Sequence, residues 1–127
     1  MKLIIKNSSV VVSKFNGTLW WEGQLTAITE LDFVSEVLNA VSVGDRFLVL
    51  IKCDAASNPR GDTKVYLRSD TGVISNTPVM DVPFPTEEYD RYELTVATAD
   101  FAPKLHVYTG ANISKQRVFD VKMYKME

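Results

Sequence analysis

Several short segments of this sequence alternate apolar and polar residues, and turn-forming residues separate them at intervals of about ten residues. The alternation covers residues 64–68, 92–96, 104–108 and 117–124. A period of two puts apolar side chains on one face of a strand and polar side chains on the other, so each segment is predicted to be a half-buried strand. A continuous apolar run from Phe47 to Ile51 is typical of a strand buried on both faces. The pattern predicts an all-β fold, an antiparallel β-sandwich or barrel.

Residues 28–43 fit both the period of a helix and the period of a strand. Apolar residues recur there at helical spacing, after Thr29 as a candidate N-cap: Leu31, Val34, Val37, Leu38 and Val41. This spacing predicts one short helix around residues 29–41. Alternate residues of the same stretch also give a passable strand pattern: Phe33, Ser35, Val37, Asn39 and Val41. The helix and the extended strand both stay open, and Gly44 and Asp45 predict a turn after either.

The length of 127 residues predicts a single domain that spans residues 1–127. Hydrophobic residues make up 46% and charged residues 24% of the chain, which are ordinary values for a globular protein. A chain of this size buries enough surface for one continuous core without disulfides. No stretch has the composition of a linker or a low-complexity tail.

The charge balance argues against two classes of partner. The 14 basic and 16 acidic residues give a net charge of -2, and no segment concentrates the basic ones. Nucleic acids and anionic membrane surfaces both require a basic patch, so neither is a predicted partner. Lys6 interrupts the N-terminal apolar residues after Ile5, so the chain lacks the apolar region of a signal peptide. We expect synthesis and retention in a cytoplasm.

Cys53 and His106 are the only residues of their types. An internal disulfide, a multi-cysteine metal site and a site with two imidazoles are therefore excluded. The aspartates lack the spacing of a calcium loop, so we predict no metal and no cofactor; the alternative is a structural ion that Asp120 helps to bind. His106 alternates with Lys104 and Tyr108 on one face of a strand, which is typical of a histidine at a surface rim and not of a catalytic base.

The sequence also lacks the motifs of common enzymes, including the serine-hydrolase and phosphate-binding motifs. Its closest carboxylates, Glu87 and Glu88 with nearby Asp90, lie in one loop. Two catalytic carboxylates of a glycosidase must flank the sugar from opposite sides, which neighbours in a loop rarely do. The protein is therefore predicted not to be an enzyme.

The aromatic residues offer a binding surface. Trp20 and Trp21 are adjacent, so in a regular strand one indole points into the core and the other to the opposite face. An exposed indole stacks on the apolar face of a sugar ring, and Glu22 lies close enough to bind its hydroxyls. The alternative is that the second tryptophan covers a sheet edge or a subunit contact. The predicted glycan or partner contacts are Trp20, Trp21, Glu22, Tyr66 and Arg68.

The order of features after Gly44 resembles a known family. The matching segments are residues 43–49, 63–68, 89–96, 104–108 and 118–124. This order resembles the jelly roll of carbohydrate-binding-module-like domains, the galactose-binding-like sandwiches of the family 4/9 type. The resemblance implies a jelly-roll β-sandwich and glycan binding. Two departures are that the first 40 residues are short for this family and that its members usually carry a secretion signal.

The N-terminal segment, residues 2–11, resembles small virion proteins of tailed phages that infect gut Bacteroidota. This resemblance implies a non-enzymatic virion protein, a capsid-decorating or head or tail fibre component, made in the bacterial host cytoplasm and located in the virion. Its implied partners are other phage structural proteins and copies of itself. Apolar N-terminal residues would form the contact or add an edge strand to their own sheet: Leu3, Ile5, Val10 and Val12. The alternative function is a free-standing glycan-binding module.

Overall fold

The computed structural model describes residues 17–29, 32–53, 64–78, 89–108 and 119–127. The strands in these residues are β1 (Gly17–Gln24), β2 (Thr26–Ala27), β3 (Asp32–Val34), β4 (Arg46–Cys53), β5 (Lys64–Ser69), β6 (Gly72–Val73), β7 (Asp90–Thr95), β8 (Lys104–Tyr108) and β9 (Phe119–Met126). The described residues contain no helix, and therefore none that is long and apolar enough to cross a membrane. The predicted all-β fold is confirmed.

The strands form two antiparallel sheets in a sandwich-like arrangement. One sheet has four strands in the order β1-β9-β4-β7, and the other has five in the order β2-β3-β8-β5-β6. Side chains of β4 and β9 meet side chains of β5 and β8 in a single core. The rings of Phe33 and Phe119, one from each sheet, pack edge to face with centroids 4.9 Å apart. The predicted β-sandwich therefore has one core between its two layers.

The segment after β3 is extended, so the structure decides between the two periods of residues 29–41. The backbone N–H groups of Ser35, Leu38 and Val41 donate to carbonyl oxygens of Leu105, Pro103 and Asp100. These bonds, of 2.8 to 2.9 Å, run to another part of the chain and not to the residue four positions earlier. The predicted short helix around residues 29–41 is wrong wherever this segment is described. These hydrogen bonds to a distant part of the same chain occupy backbone N–H groups that a helix would need for its own hydrogen bonds.

The turn predicted at Gly44 and Asp45 is confirmed. The Asp45 N–H donates to the Ser42 carbonyl oxygen at 3.1 Å, and the Ser42 N–H donates to Asp45 Oδ2 at 2.9 Å. Gly44 has a φ of 90°, which side chains with a Cβ rarely adopt. Glycine therefore allows the chain to turn into β4.

A β-bulge changes the direction of the two tryptophans. β1 pairs with β9, and the register shifts between Leu19 and Trp21. Both indoles pack against the core, and the ring centroid of Trp20 lies 4.6 Å from that of Phe47. The prediction that adjacent tryptophans point to opposite faces is wrong, because an inserted residue breaks the period of two.

Candidate functional site

Alternation in β5 and β8 separates a buried face from a polar one. Val65 and Leu67 of β5, with Leu105 and Val107 of β8, are completely buried in the core. The residues between them point to the other side of the five-stranded sheet: Lys64, Tyr66, Arg68, Lys104, His106 and Tyr108. Asp32 and Val34 of β3 extend this surface on the far side of β8. We call these eight residues the outer face.

The strand register brings particular outer-face residues together. Tyr66 is opposite His106, and Arg68 is opposite Lys104. On the other side of β8, Val34 is opposite His106. Directly opposite residues of antiparallel strands have Cβ atoms about 5 Å apart, so their side chains can contact one another. The register therefore makes His106 the centre of the outer face.

His106 is held by two neighbours. Only 7% of the residue is exposed, and its Nδ1 lies 3.1 Å from Asp32 Oδ1. Because an ionised carboxylate only accepts hydrogen bonds, Nδ1 carries the hydrogen of this bond. The Tyr66 ring stacks on the imidazole with centroids 5.5 Å apart and planes 9° apart. The imidazole is thereby fixed in position and orientation, and it is more buried than the predicted rim histidine.

Tyr66 supplies an aromatic ring with a protonated hydroxyl. Burial raises the pKa of its phenol above the ordinary value of about 10, and the nearby Asp32 carboxylate raises this pKa further. The Arg68 guanidinium acts in the opposite direction. At neutral pH the hydroxyl can both donate and accept a hydrogen bond.

A cleft of about 250 Å³ opens beside the Tyr66–His106 stack. Its lining residues come from four parts of the chain: Ile28, Val34, Arg68, Ser69, Asp70, Ala102, Lys104 and His106. Ile28 and Val34 provide apolar surface, whereas Arg68 and Lys104 provide hydrogen-bond donors and positive charge. The cleft therefore combines apolar and polar contacts.

The structure divides the five predicted contact residues between the two sheets. Tyr66 and Arg68 lie on the outer face, and Arg68 lines its cleft. Trp20, Trp21 and Glu22 belong to β1, in the other sheet. The predicted contacts therefore do not form one surface.

Trp21 does not form an open platform. It is half-buried, and its Nε1–H donates to Glu36 Oε2 at 2.8 Å. The indole also lies across Gly23, where a Cβ would stand 2.7 Å from Trp21 Cζ2. Glycine at position 23 allows this close approach. The indole is thus occupied by contacts within the protein.

Glu22 lies on a second, smaller surface. It lines a shallow cleft of about 190 Å³ together with Tyr89, Asp120 and Lys122. The Nζ atoms of Lys52 and Lys122 lie 5.6 and 5.7 Å from the centroid of the Tyr89 ring. Burial, followed by the Asp120 and Glu22 carboxylates, raises the pKa of Tyr89. Both cations near the ring are already engaged by it.

Sequence reasoning missed the outer-face contribution of Asp32. The alternation did place Lys104, His106 and Tyr108 on one face, but Asp32 lies 74 positions before His106. Only the pairing of β3 with β8 joins them.

The carboxylates Glu87 and Glu88 lie outside the described residues, as does the apolar N-terminal segment. The described residues hold no group of three or more His, Cys, Asp or Glu side chains that could bind a metal ion.

The comparisons with known proteins assign no family. No protein-family model and no curated protein matches the sequence. Among solved structures, the chain is similar to a glycoside hydrolase family 43 arabinoxylan arabinofuranohydrolase from Bacillus subtilis, in complex with cellotetraose. The identity is 12% and the TM-score 0.49, and the match covers all of this chain but 28% of the other. The function must therefore be argued from the outer face itself.

Proposed function

We propose that this protein is a glycan-binding module that binds its ligand on the outer face of the five-stranded sheet. The stack of Tyr66 on His106 beside a polar cleft carries the proposal. A pyranose ring has apolar C–H faces and a rim of hydroxyl groups. Binding it requires a flat apolar surface next to hydrogen-bonding groups, and the outer face provides both.

The outer face is organised before a ligand arrives. Asp32 fixes the imidazole of His106, and His106 in turn fixes the plane of Tyr66. Side chains that are already ordered lose less conformational entropy on binding. We propose that the sugar contacts the aromatic pair while Arg68 and Lys104 donate to its oxygen atoms. The proposal is binding without turnover, and it assigns no catalytic residue.

Titration calorimetry with a panel of neutral and acidic oligosaccharides tests this assignment. Tyr66→Ala removes the ring beside the cleft, and we expect it to weaken binding at least about tenfold, which corresponds to about 1.4 kcal/mol. Tyr124→Ala is the matched control, because Tyr124 lies on the four-stranded sheet and is only partly exposed. We expect this variant to bind like the original protein. Melting curves check that both variants are folded.

Loss of binding in Tyr124→Ala with normal binding in Tyr66→Ala would place the site on the other sheet. A failure of every oligosaccharide to bind the original protein would reject glycan binding altogether.

The virion role stays a prediction. It rests on the resemblance of residues 2–11, and the residues expected to contact a neighbour lie outside the described residues: Leu3, Ile5, Val10 and Val12. Association with copies of itself or with phage structural proteins, and location in the virion, are predictions of the same standing. Light scattering of the purified chain, followed by retention on assembled virions, tests them. A strictly monomeric chain that no virion retains would contradict the role.

A further inference from the structure

Two positive charges face each other on the outer face. Arg68 and Lys104 are directly opposite in the β5–β8 register, and both line the cleft. Like charges at directly opposite positions destabilise a sheet. Neither side chain forms an ion pair within the part of the chain that the structure describes, although Asp70 lines the same cleft. The fold therefore holds two cations together at a cost in stability.

We propose that Arg68 and Lys104 bind the carboxylate of an acidic sugar residue, so that the ligand is a uronate-containing glycan. This inference rests on the proposed function of the outer face. A carboxylate between the two cations would remove their repulsion and accept charge-assisted hydrogen bonds from both. The planar guanidinium of Arg68 suits bidentate binding of a carboxylate, and Lys104 adds a point charge.

The surroundings of the pair favour a sugar carboxylate over other anions. Tyr66 and His106 lie one position along the same face, and Ile28 and Val34 supply apolar surface to the cleft. A free inorganic anion would use none of these apolar contacts. A polyphosphate chain has no apolar face to contact Ile28 and Val34, and its charges are more closely spaced than one carboxylate on each sugar ring, so the carboxylates of Asp32 and Asp70 repel it more strongly. A single carboxylate on a sugar ring fits both the charge and the apolar surface.

A matched pair of ligands isolates the charge. Oligogalacturonate and its fully methyl-esterified form have the same ring and linkage, and oligomannuronate and its methyl ester form a second pair. We expect the protein to bind at least one acid at least about tenfold more tightly than its ester at low salt. Added salt should reduce this difference, because it screens exposed charges.

Three variants locate the effect. Arg68→Gln and Lys104→Gln should each abolish most of the difference between acid and ester, because each weakens binding of the acid more than binding of the ester. Lys64→Gln removes a cation from the same face but outside the cleft lining, and it should keep the difference. Each cleft variant also removes the repulsion, so its melting temperature should stay the same or rise. A large fall in melting temperature would mean that the cations have a structural role and would contradict the inference.

The outcomes separate the inference from the proposed function. Equal binding of acid and ester in both pairs, lost in Tyr66→Ala, would overturn the carboxylate assignment and leave glycan binding intact. Tighter binding of a sulfated carrageenan oligosaccharide than of either uronate would overturn it in favour of sulfate. An absence of binding to every neutral and acidic oligosaccharide would reject both proposals.

Discussion

At the scale of single residues, two buried serines complete the hydrogen bonding of the five-stranded sheet. Ser35 Oγ accepts from the Leu105 N–H at 2.9 Å and donates to the Glu36 carbonyl oxygen at 2.7 Å. Ser75 Oγ does the same for the Leu67 N–H at 2.9 Å. Leu105 belongs to β8 and Leu67 to β5, and both strands contribute residues to the outer face. Each serine hydroxyl therefore satisfies a backbone N–H in a strand that forms the candidate site.

Ser35→Ala should destabilise the fold. The variant leaves the buried Leu105 N–H without its partner, and an unsatisfied buried donor costs about 1 to 3 kcal/mol. We expect a fall of that size in the free energy of unfolding, measured by urea denaturation. Ser42→Ala is the control, because Ser42 is exposed and should lose less than about 0.5 kcal/mol. Equal losses in the two variants would show that the Ser35 hydroxyl is dispensable.

Single residues also show where prediction from the sequence stops. Turn formation at Gly44 was predictable, because a positive φ selects glycine locally. The direction of Trp21 was not, because it depends on a bulge that no local signal marks. The pairing of Asp32 with His106 depends on the register between two distant strands. The alternation around His106 therefore predicted the face on which this histidine lies, but nothing in the sequence predicted Asp32 as its partner.

At the scale of elements, β7 lies at the edge of the four-stranded sheet among the described strands, and a side chain bonds to its outer side. It pairs with β4 on one side. On its other side, the side-chain amide of Asn76 bonds to the backbone of β7 as a neighbouring strand would. Its Nδ2 donates to the Glu93 carbonyl oxygen at 3.1 Å, and its Oδ1 accepts from the Thr95 N–H at 2.8 Å. Unpaired strand edges are sites of intermolecular pairing, so we expect this contact to limit aggregation.

Asn76→Ala should expose that edge. Both bonds are lost, and at about 0.5 to 1.5 kcal/mol for each bond we expect a loss of about 1 to 2 kcal/mol in the free energy of unfolding, reduced because the site is exposed. Light scattering during storage at high concentration should rise as well. Asn39→Ala serves for comparison, because Asn39 is exposed and has no hydrogen bond to another described residue. If the two variants aggregate equally, Asn76 does not protect the edge.

The strands that the sequence predicted well are those with unbroken alternation or an unbroken apolar run. Residues 64–68 and 104–108 correspond to β5 and β8, and the run from Phe47 to Ile51 lies within β4. β1 was not predicted, because the bulge interrupts its period. The segment that follows β3 fitted a helix and a strand equally, and long-range bonds to residues 100–105 decide it. Local patterns therefore identified the strands with an unbroken pattern, β7 at the sheet edge included, but not β1 or the segment after β3.

At the scale of the whole molecule, three tyrosines link stability to alkaline pH. Burial is the largest cause that raises the pKa of Tyr66, Tyr89 and Tyr124 above the ordinary value of about 10. In the unfolded chain these phenols lose their protons near pH 10. Between that pH and the higher pKa of the folded state, the folded protein binds more protons, so stability falls as the pH rises. The stability that these protonated phenols contribute to the folded state is fully present below about pH 10.

Urea denaturation one pH unit below and one above this value should show the fall. Lysines also titrate in this range, so the variant with Tyr66→Phe, Tyr89→Phe and Tyr124→Phe is the control. We expect a smaller fall in the free energy of unfolding in this variant, and tyrosinate absorbance should give raised pKa values in the original protein. Identical falls in the two proteins would assign the pH dependence to other groups.

The place of β9 in the four-stranded sheet has a consequence for how the chain folds. β9 is the last described strand along the chain, yet it lies between β1 and β4 and pairs with both. β1, formed from the first described residues, has no other partner strand among those described, so its strand pairing forms only once β9 is present. Such distant pairings fold slowly. A nascent chain that has not yet emerged from the ribosome as far as Phe119 leaves one side of the apolar strand β4 open, and this is the stage at which neighbouring chains can join it.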